Sequence, residues 1–270
     1  MSYKTVIVNL AVDVDPIPIV KLASALAVHF GAQLIGFAAA DVPPLVVTEK
    51  GLVYEGDIME TRRRELEKHL AELRDAFEEL VPASIGGRWM QHIHTPTSAL
   101  ITVARAADLL VTGHDRGDDA FRALDIGSLV LGAGRPVLLA ANNAEHLVGK
   151  TVLVAWKDSR EARRAVSDAL PFLIRAKEVV VATMAGEAGP DVRSSLAEIL
   201  LWLKSQGVPA RTEVLFGEPG GHQLVEFAHM IGADLIVSGA YGHSRLREWA
   251  FGGITRTLMA ERGINRLLSN

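Results

Sequence analysis

Ala107-Asp108-Leu109-Leu110-Val111-Thr112-Gly113 and Ala233-Asp234-Leu235-Ile236-Val237-Ser238-Gly239 match position by position at an offset of 126 residues, 107 against 233. Each is an apolar run of strand length closed by a hydroxyl residue and glycine. Upstream, Thr5-Val6-Ile7-Val8 and Thr151-Val152-Leu153-Val154 form a second matched pair, each followed by an amphipathic helical pattern. Two copies of one unit account for this spacing. The copies are expected over 1–146 and 147–270, with the seam in the polar stretch Ala141-Asn142-Asn143-Ala144-Glu145-His146.

Within copy one, Pro16 stands where a first helical turn tolerates proline. Ile19, Leu22, Ala23, Leu26, Ala27 and Phe30 follow at helical spacing up to Gly31. Gln33 to Ala40 is nearly all apolar, which suits a parallel strand covered on both faces. Leu66, Leu70, Leu73, Phe77 and Leu80 mark a helix within Asp57 to Val81. A strand Arg88 to His94, a helix Pro96 to Ala107, and strands Leu109 to Thr112 and Pro136 to Ala140 complete the copy.

Copy two repeats the order. Asp158 and Glu161 have capping-box-like spacing ahead of the stripe Ala162, Ala165, Val166, Ala169 and Leu173. A strand Glu178 to Thr183, a helix from Pro190 to Gly207, a strand Arg211 to Phe216, a helix Gly221 to Ile231 and strands Leu235 to Ser238 and Ile264 to Leu268 follow. Strands alternating with helices predict an α/β fold: two small, doubly wound tandem domains, each with a five-stranded parallel sheet flanked by helices. Each copy ends in an apolar strand whose edge needs covering, so the copies are expected to pair there as an internal pseudo-dimer. Further homodimerisation is a weaker expectation.

Composition narrows the function. The 28 Lys and Arg against 32 Asp and Glu give a formal charge of −4, which argues against a nucleic-acid surface. With no Cys there is no disulfide framework, thiolate metal site or thiol nucleophile. The N-terminal stretch carries no secretory h-region, and no apolar run reaches the roughly 18 residues of a membrane helix, so a cytoplasmic protein is expected.

The loop after Ser238 carries the most chemistry. Gly239-Ala240-Tyr241-Gly242-His243-Ser244-Arg245 leaves a strand end, and a helix begins again at Gly252-Gly253-Ile254-Thr255. Unpaired amides at a helix start and the helix dipole favour an anion, and glycine permits close approach. The carboxyl end of a parallel strand is also where open α/β sheets bind ligands. A tight connection needing glycine for its turns explains the same residues equally well.

The segment resembles the nucleotide-binding signature of the universal stress protein family, G-x2-G-x9-G-[ST], with Gly239, Gly242 and Gly252 in register. The resemblance covers both copies and fits the tandem-domain type. It implies five-stranded α/β domains that bind ATP, with or without Mg²⁺, and pair through the last strand. It also implies a nucleotide near Ala155, Lys157, Asp158, Met184, Gly239, Gly242, His243, Arg245, Gly252, Gly253, Ile254 and Thr255. Gly253 stands where the family has Ser or Thr. Lys157 stands at the family's Asp position, with the carboxylate displaced to Asp158. Asp158 reads either as a helix cap or as a ligand contact, Lys157 as a phosphate contact or a solvated lysine, and Met184 as an adenine-pocket residue or core.

In copy one the matching segment is Gly113-His114-Asp115-Arg116-Gly117, then nine residues, then Gly127-Ser128. Its first spacing is one residue longer, Ala11 replaces the family Asp, and Asp115, Asp118 and Asp119 bring negative charge. Copy two, with His243, Arg245 and Arg247, is therefore the expected anion site. His92 and His94 share one face of a predicted strand, but no third metal ligand accompanies them.

Gly51 and Gly56 have P-loop spacing with Asp57 where Lys is required, and no G-x-G-x-x-G follows either first strand. Three functions follow. The leading one is an ATP-binding stress or signalling module acting through conformation or oligomerisation. The second is a slow ATP hydrolase, held back by the lack of a Mg²⁺ carboxylate pair and a water-positioning base. The third is a small-ligand receptor or scaffold whose nucleotide sites have decayed.

Overall fold

The fold is described from a computed structural model covering residues 2–43, 56–113, 119–142, 144, 147, 149–187, 189–216, 221–241 and 253–270, with backbone alone at 56–58. The first half runs β1 (Thr5–Asn9), α1 (Ile17–Phe30), β2 (Gln33–Ala40), α2 (Gly56–Leu80), β3 (Gly87–Ile93), α3 (Pro96–Val103), β4 (Leu109–Thr112), α4 (Ile126–Gly132) and β5 (Val137–Leu139). The second runs β6 (Thr151–Ala155), α5 (Arg160–Leu173), β7 (Glu178–Met184), α6 (Pro190–Ser205), β8 (Arg211–Leu215), α7 (His222–Met230), β9 (Leu235–Gly239), α8 (Gly253–Ala260) and β10 (Asn265–Ser269).

All ten strands lie in one sheet, in the order β3-β2-β1-β4-β5-β10-β9-β6-β7-β8. Each half contributes five mutually parallel strands, so the α/β fold of two tandem units read from the repeat is the fold observed. Between the halves β5 and β10 run antiparallel, with Leu138 opposite Leu267. The inner strands are buried because helices cover both faces, and β3 and β8 at the edges are more exposed.

The repeated Ala-Asp dipeptide has a structural job. Asp108 accepts the amides of Lys4 and Thr5 at 2.8 and 3.0 Å, and Asp234 accepts those of Lys150 and Thr151 at 2.9 and 3.1 Å. In both halves the same carboxylate therefore anchors the entry of the first strand beside the fourth.

The face bearing α1, α2, α5 and α6 has a core continuous across both halves. Phe30 lies edge-on to Tyr3 at 4.9 Å and to Phe172 at 5.0 Å. The Tyr3 hydroxyl donates to the Asp168 carbonyl at 2.6 Å, and Arg175 stacks 5.2 Å above Phe30. Burying each such ring is worth about 1.5–3 kcal/mol. On the opposite face the core divides into one cluster beneath α3 and α4 and another beneath α7 and α8.

At the junction Arg266 is fully buried. Its guanidinium donates to the carbonyl oxygens of Leu258, Ile264 and Ala140. Burial pulls its pKa from the ordinary arginine range down to about 10, the Glu261 charge opposing, and the group stays cationic at neutral pH.

Candidate functional site

In the second half the strand ends converge on α8. Ala155 ends β6, Met184 ends β7 beside Leu215, and Gly239 ends β9. Ala155, Met184 and Ile254 are apolar but only half-buried, packed against the α7–α8 cluster without being covered by it. Gly253, exposed, opens α8, and Thr255 one turn in is buried. This brings Ala155, Met184, Gly239, Gly253, Ile254 and Thr255 to one end of the sheet. Gly242, His243, Arg245 and Gly252 lie outside the described residues.

Gly239 has a packing role of its own. A Cβ there would stand 2.5 Å from the Ala162 amide nitrogen and 2.5 Å from the Glu161 carbonyl carbon, because α5 crosses β9 and β10 with its first turn against the strand end. Gly113, its counterpart, has no atom of the described residues within 4 Å of the same position. The indole of Trp156, next after β6, turns to the α6 side, where its N–H donates to Ser195 at 2.9 Å.

One expectation at this helix is corrected. Asp158 is not the cap of α5; Ser159 is, with its hydroxyl oxygen accepting the Ala162 amide at 3.2 Å. Asp158, exposed, pairs with Arg163, and the carboxylate of Glu161, almost fully buried, takes a hydrogen bond from Arg160. The start of the helix is set one residue later than the Asp158–Glu161 spacing suggests, and serine at that point has the extended backbone a cap requires.

The first half bridges the equivalent strand ends with its own residues. Arg122, between β4 and α4, makes two hydrogen bonds of 2.7 Å to Asp13, between β1 and α1. Phe121 next to it accepts the Asp41 amide at 2.8 Å, just past the end of β2. Residues 121 and 122 are thereby tied to the ends of both β1 and β2.

At the start of α4 the Asp125 carboxylate accepts the Ser128 amide at 3.2 Å and the Ser128 hydroxyl at 2.6 Å. The two donors that a Gly-Ser signature would offer a phosphate are already engaged. Gly127 is approached from the other side, since a Cβ there would lie 2.4 Å from the Tyr241 hydroxyl of the second half. His114, Asp115, Gly117 and Asp118 lie outside the described residues.

The sequence reading did not single out Asp13, Phe121, Arg122, Asp125 or Ser159. Asp125 was findable, since it stands three residues before Ser128 at N-cap spacing. The Asp13–Arg122 pair spans 109 residues and leaves no local pattern. His92 and His94 flank the end of edge strand β3, both exposed. No cluster of three potential metal ligands occurs among the described residues, and no described helix is long and apolar enough to cross a membrane.

No protein-family model matches the sequence, and no curated protein matches it. Solved structures do match. A universal stress protein from Archaeoglobus fulgidus DSM 4304 superposes with a TM-score of 0.69 at 14% identity, over 98% of this chain and 96% of that one. A protein assigned as a universal stress protein from Pseudomonas aeruginosa UCBPP-PA14 gives 0.60 at 16% identity, over 99% and 93%. A functionally unknown protein from Pseudomonas aeruginosa PAO1 gives 0.58 at 15%, over 99% and 92%. At these identities the likeness establishes the fold, and along its whole length this chain has the fold of universal stress proteins.

Proposed function

We propose, taking the universal stress protein fold as the premise, that this chain is an adenine-nucleotide-binding module with its nucleotide, ATP, in the second half and its output in conformation or assembly. The observation that carries this reading is the difference between the halves. The first spans its strand ends with Asp13–Arg122 and commits its helix-start donors to Asp125. The second leaves Ala155, Met184 and Ile254 half-covered around the start of α8, where apolar surface suits a flat base.

The residues present fit such a ligand. Gly253 brings no side chain to the α8 start, and unpaired amides at a helix start suit phosphate. Backbone donors compensate for the hydroxyl absent at Gly253, since one hydroxyl is worth about 0.5–1.5 kcal/mol. Lys157 and Asp158 lie beyond β6 at the same end of the sheet, where a lysine favours phosphate charge. The antiparallel β5–β10 pairing supports treating the halves as an internal pseudo-dimer in which one copy binds and the other braces.

The test is calorimetric titration of the full-length protein with ATP, with and without Mg²⁺, alongside Gly252→Val. One site per chain that disappears in the variant is the expected result. Wild-type affinity in Gly252→Val, or two equivalent sites, would overturn the reading.

A further inference from the structure

A cleft of about 480 Å³ opens in the first half, on the α1 side of the strand ends and toward the junction. It lies at the carboxyl ends of β1 and β4, where the strand order reverses, a position that favours ligands in open α/β sheets. Ala140, Ala141, Asn142 and Ala144, after β5, form one wall. They are fixed by the second half: Ala141 donates to Asn265 at 2.9 Å and the Asn142 amide to the Arg262 carbonyl at 2.8 Å. The opposite wall is the start of α1, stiffened by Pro16 and Pro18. The cleft is therefore formed before any ligand arrives.

Its polar groups specify a chemistry. Asn9 is 5% exposed, and its Nδ2 donates to the Thr112 hydroxyl at 3.3 Å. That hydroxyl donates its own proton to the Gly113 carbonyl at 3.3 Å, which fixes the orientation of the Asn9 amide. Asn9 Oδ1 is left as an acceptor with no donor among the described residues, and Asn9 lines the cleft. Among the described residues, three charged side chains share the lining: Asp13, Asp15 and Arg262. Arg122 neutralises Asp13. One oxygen of Asp15 accepts the Ile17 amide, and no described residue engages the Arg262 guanidinium. Among the described residues this leaves one cation, one anion and a buried acceptor beside the apolar surface of Val14, Pro18 and Ile19.

From this complementarity we infer that the cleft binds a small zwitterion of the α-amino-acid class. Its carboxylate pairs with Arg262, its ammonium group is attracted by Asp15 and donates to Asn9 Oδ1, and its side chain lies on the proline-lined wall. Among the described lining residues a nucleotide triphosphate would meet the Asp15 carboxylate with Arg262 alone to offset its charge, which favours a smaller, balanced ligand. The second half contributes Arg262, so occupancy of the cleft bears on the junction between the halves.

The experiment is thermal-shift screening of the full-length protein with individual α-amino acids at millimolar concentration, followed by calorimetry on those that shift it. Matched carboxamide and N-acetyl derivatives are the controls. At least one amino acid is expected to bind, with affinity falling at least about tenfold when its carboxylate is blocked or in Arg262→Gln. Arg262 is exposed, so that variant folds. Arg105→Gln, exposed and outside the cleft lining, checks that loss of a surface arginine alone does not mimic the effect.

Absence of binding by every amino acid overturns the inference, as does affinity indifferent to Arg262→Gln. Titrating ATP into Arg262→Gln, and the amino acid into Gly252→Val, separates the two readings. Loss of ATP binding in Gly252→Val with amino-acid binding intact supports both, and either site can fail without the other.

Discussion

The Asp13 carboxylate and the Arg122 guanidinium meet in two hydrogen bonds of 2.7 Å, joining the β1–α1 and β4–α4 connections across the first-half crevice. Hydrogen bonding from Arg122 lowers the Asp13 carboxyl below its ordinary range; burial opposes this, and the charges of Arg122 and His69 reinforce it. A carboxyl lowered on folding stabilises above its unfolded pKa and loses that contribution as pH falls through the folded value. The pair is substantially exposed, so Asp13→Asn is expected to cost only about 0.2–1 kcal/mol at neutral pH. In urea unfolding the gap between wild type and variant should close in acid below the carboxylate range. A gap of constant size would remove the pair from the account.

Arg266 provides a larger effect. It is buried at the junction with carbonyl oxygens among its partners, so Arg266→Met removes their donor while keeping most of the stem. Leaving buried acceptors unsatisfied costs about 1–3 kcal/mol, and chemical denaturation should show a loss in that range or above. An unchanged midpoint would mean that water replaces the guanidinium without penalty.

The two pseudo-equivalent glycines should part company. Gly113→Ala meets no atom of the described residues and is expected to be nearly neutral, whereas Gly239→Ala drives a Cβ into the α5 backbone. Overpacking against main chain costs about 1–3 kcal/mol, so thermal unfolding should separate the variants clearly. Equal melting temperatures would show that α5 slides away freely. Gly239 is consequently a poor probe of nucleotide binding, since its loss disturbs the fold first.

The sheet was legible because its inner strands are buried on both faces and so read as unbroken apolar runs, and because the Asp108 and Asp234 anchors repeat with them. The α5 cap was misread at Asp158 because Asp158 and Ser159 are both good capping residues, and only the backbone decides between them. The bracing of the first-half strand ends was not legible. It depends on Arg122 reaching Asp13 and Phe121 reaching Asp41, contacts made by tertiary packing alone. The glycine spacing, read as a phosphate cradle, also serves helix packing at Gly239 and Gly127, and a sequence gives both demands the same letter.

Gly127 and Tyr241 offer the most direct way to separate those demands. Tyr241, in the connection after β9, takes a positive φ of 64° and extends its hydroxyl to within 3.5 Å of the Met259 sulfur, over the first turn of α4. A Cβ on Gly127 would stand 2.4 Å from that hydroxyl but 3.5 Å from the ring carbon bearing it. Removing the hydroxyl should therefore relieve the clash. Gly127→Ala is expected to destabilise the wild-type protein by about 1–3 kcal/mol and the Tyr241→Phe background by much less. The resulting coupling energy should fall within the range of about 0.5–3 kcal/mol found for residues in contact. Urea unfolding of the wild type, both single variants and the double variant measures it. Strict additivity would show that Gly127 is not held small by the second half, and would return its role to the anion chemistry of the signature.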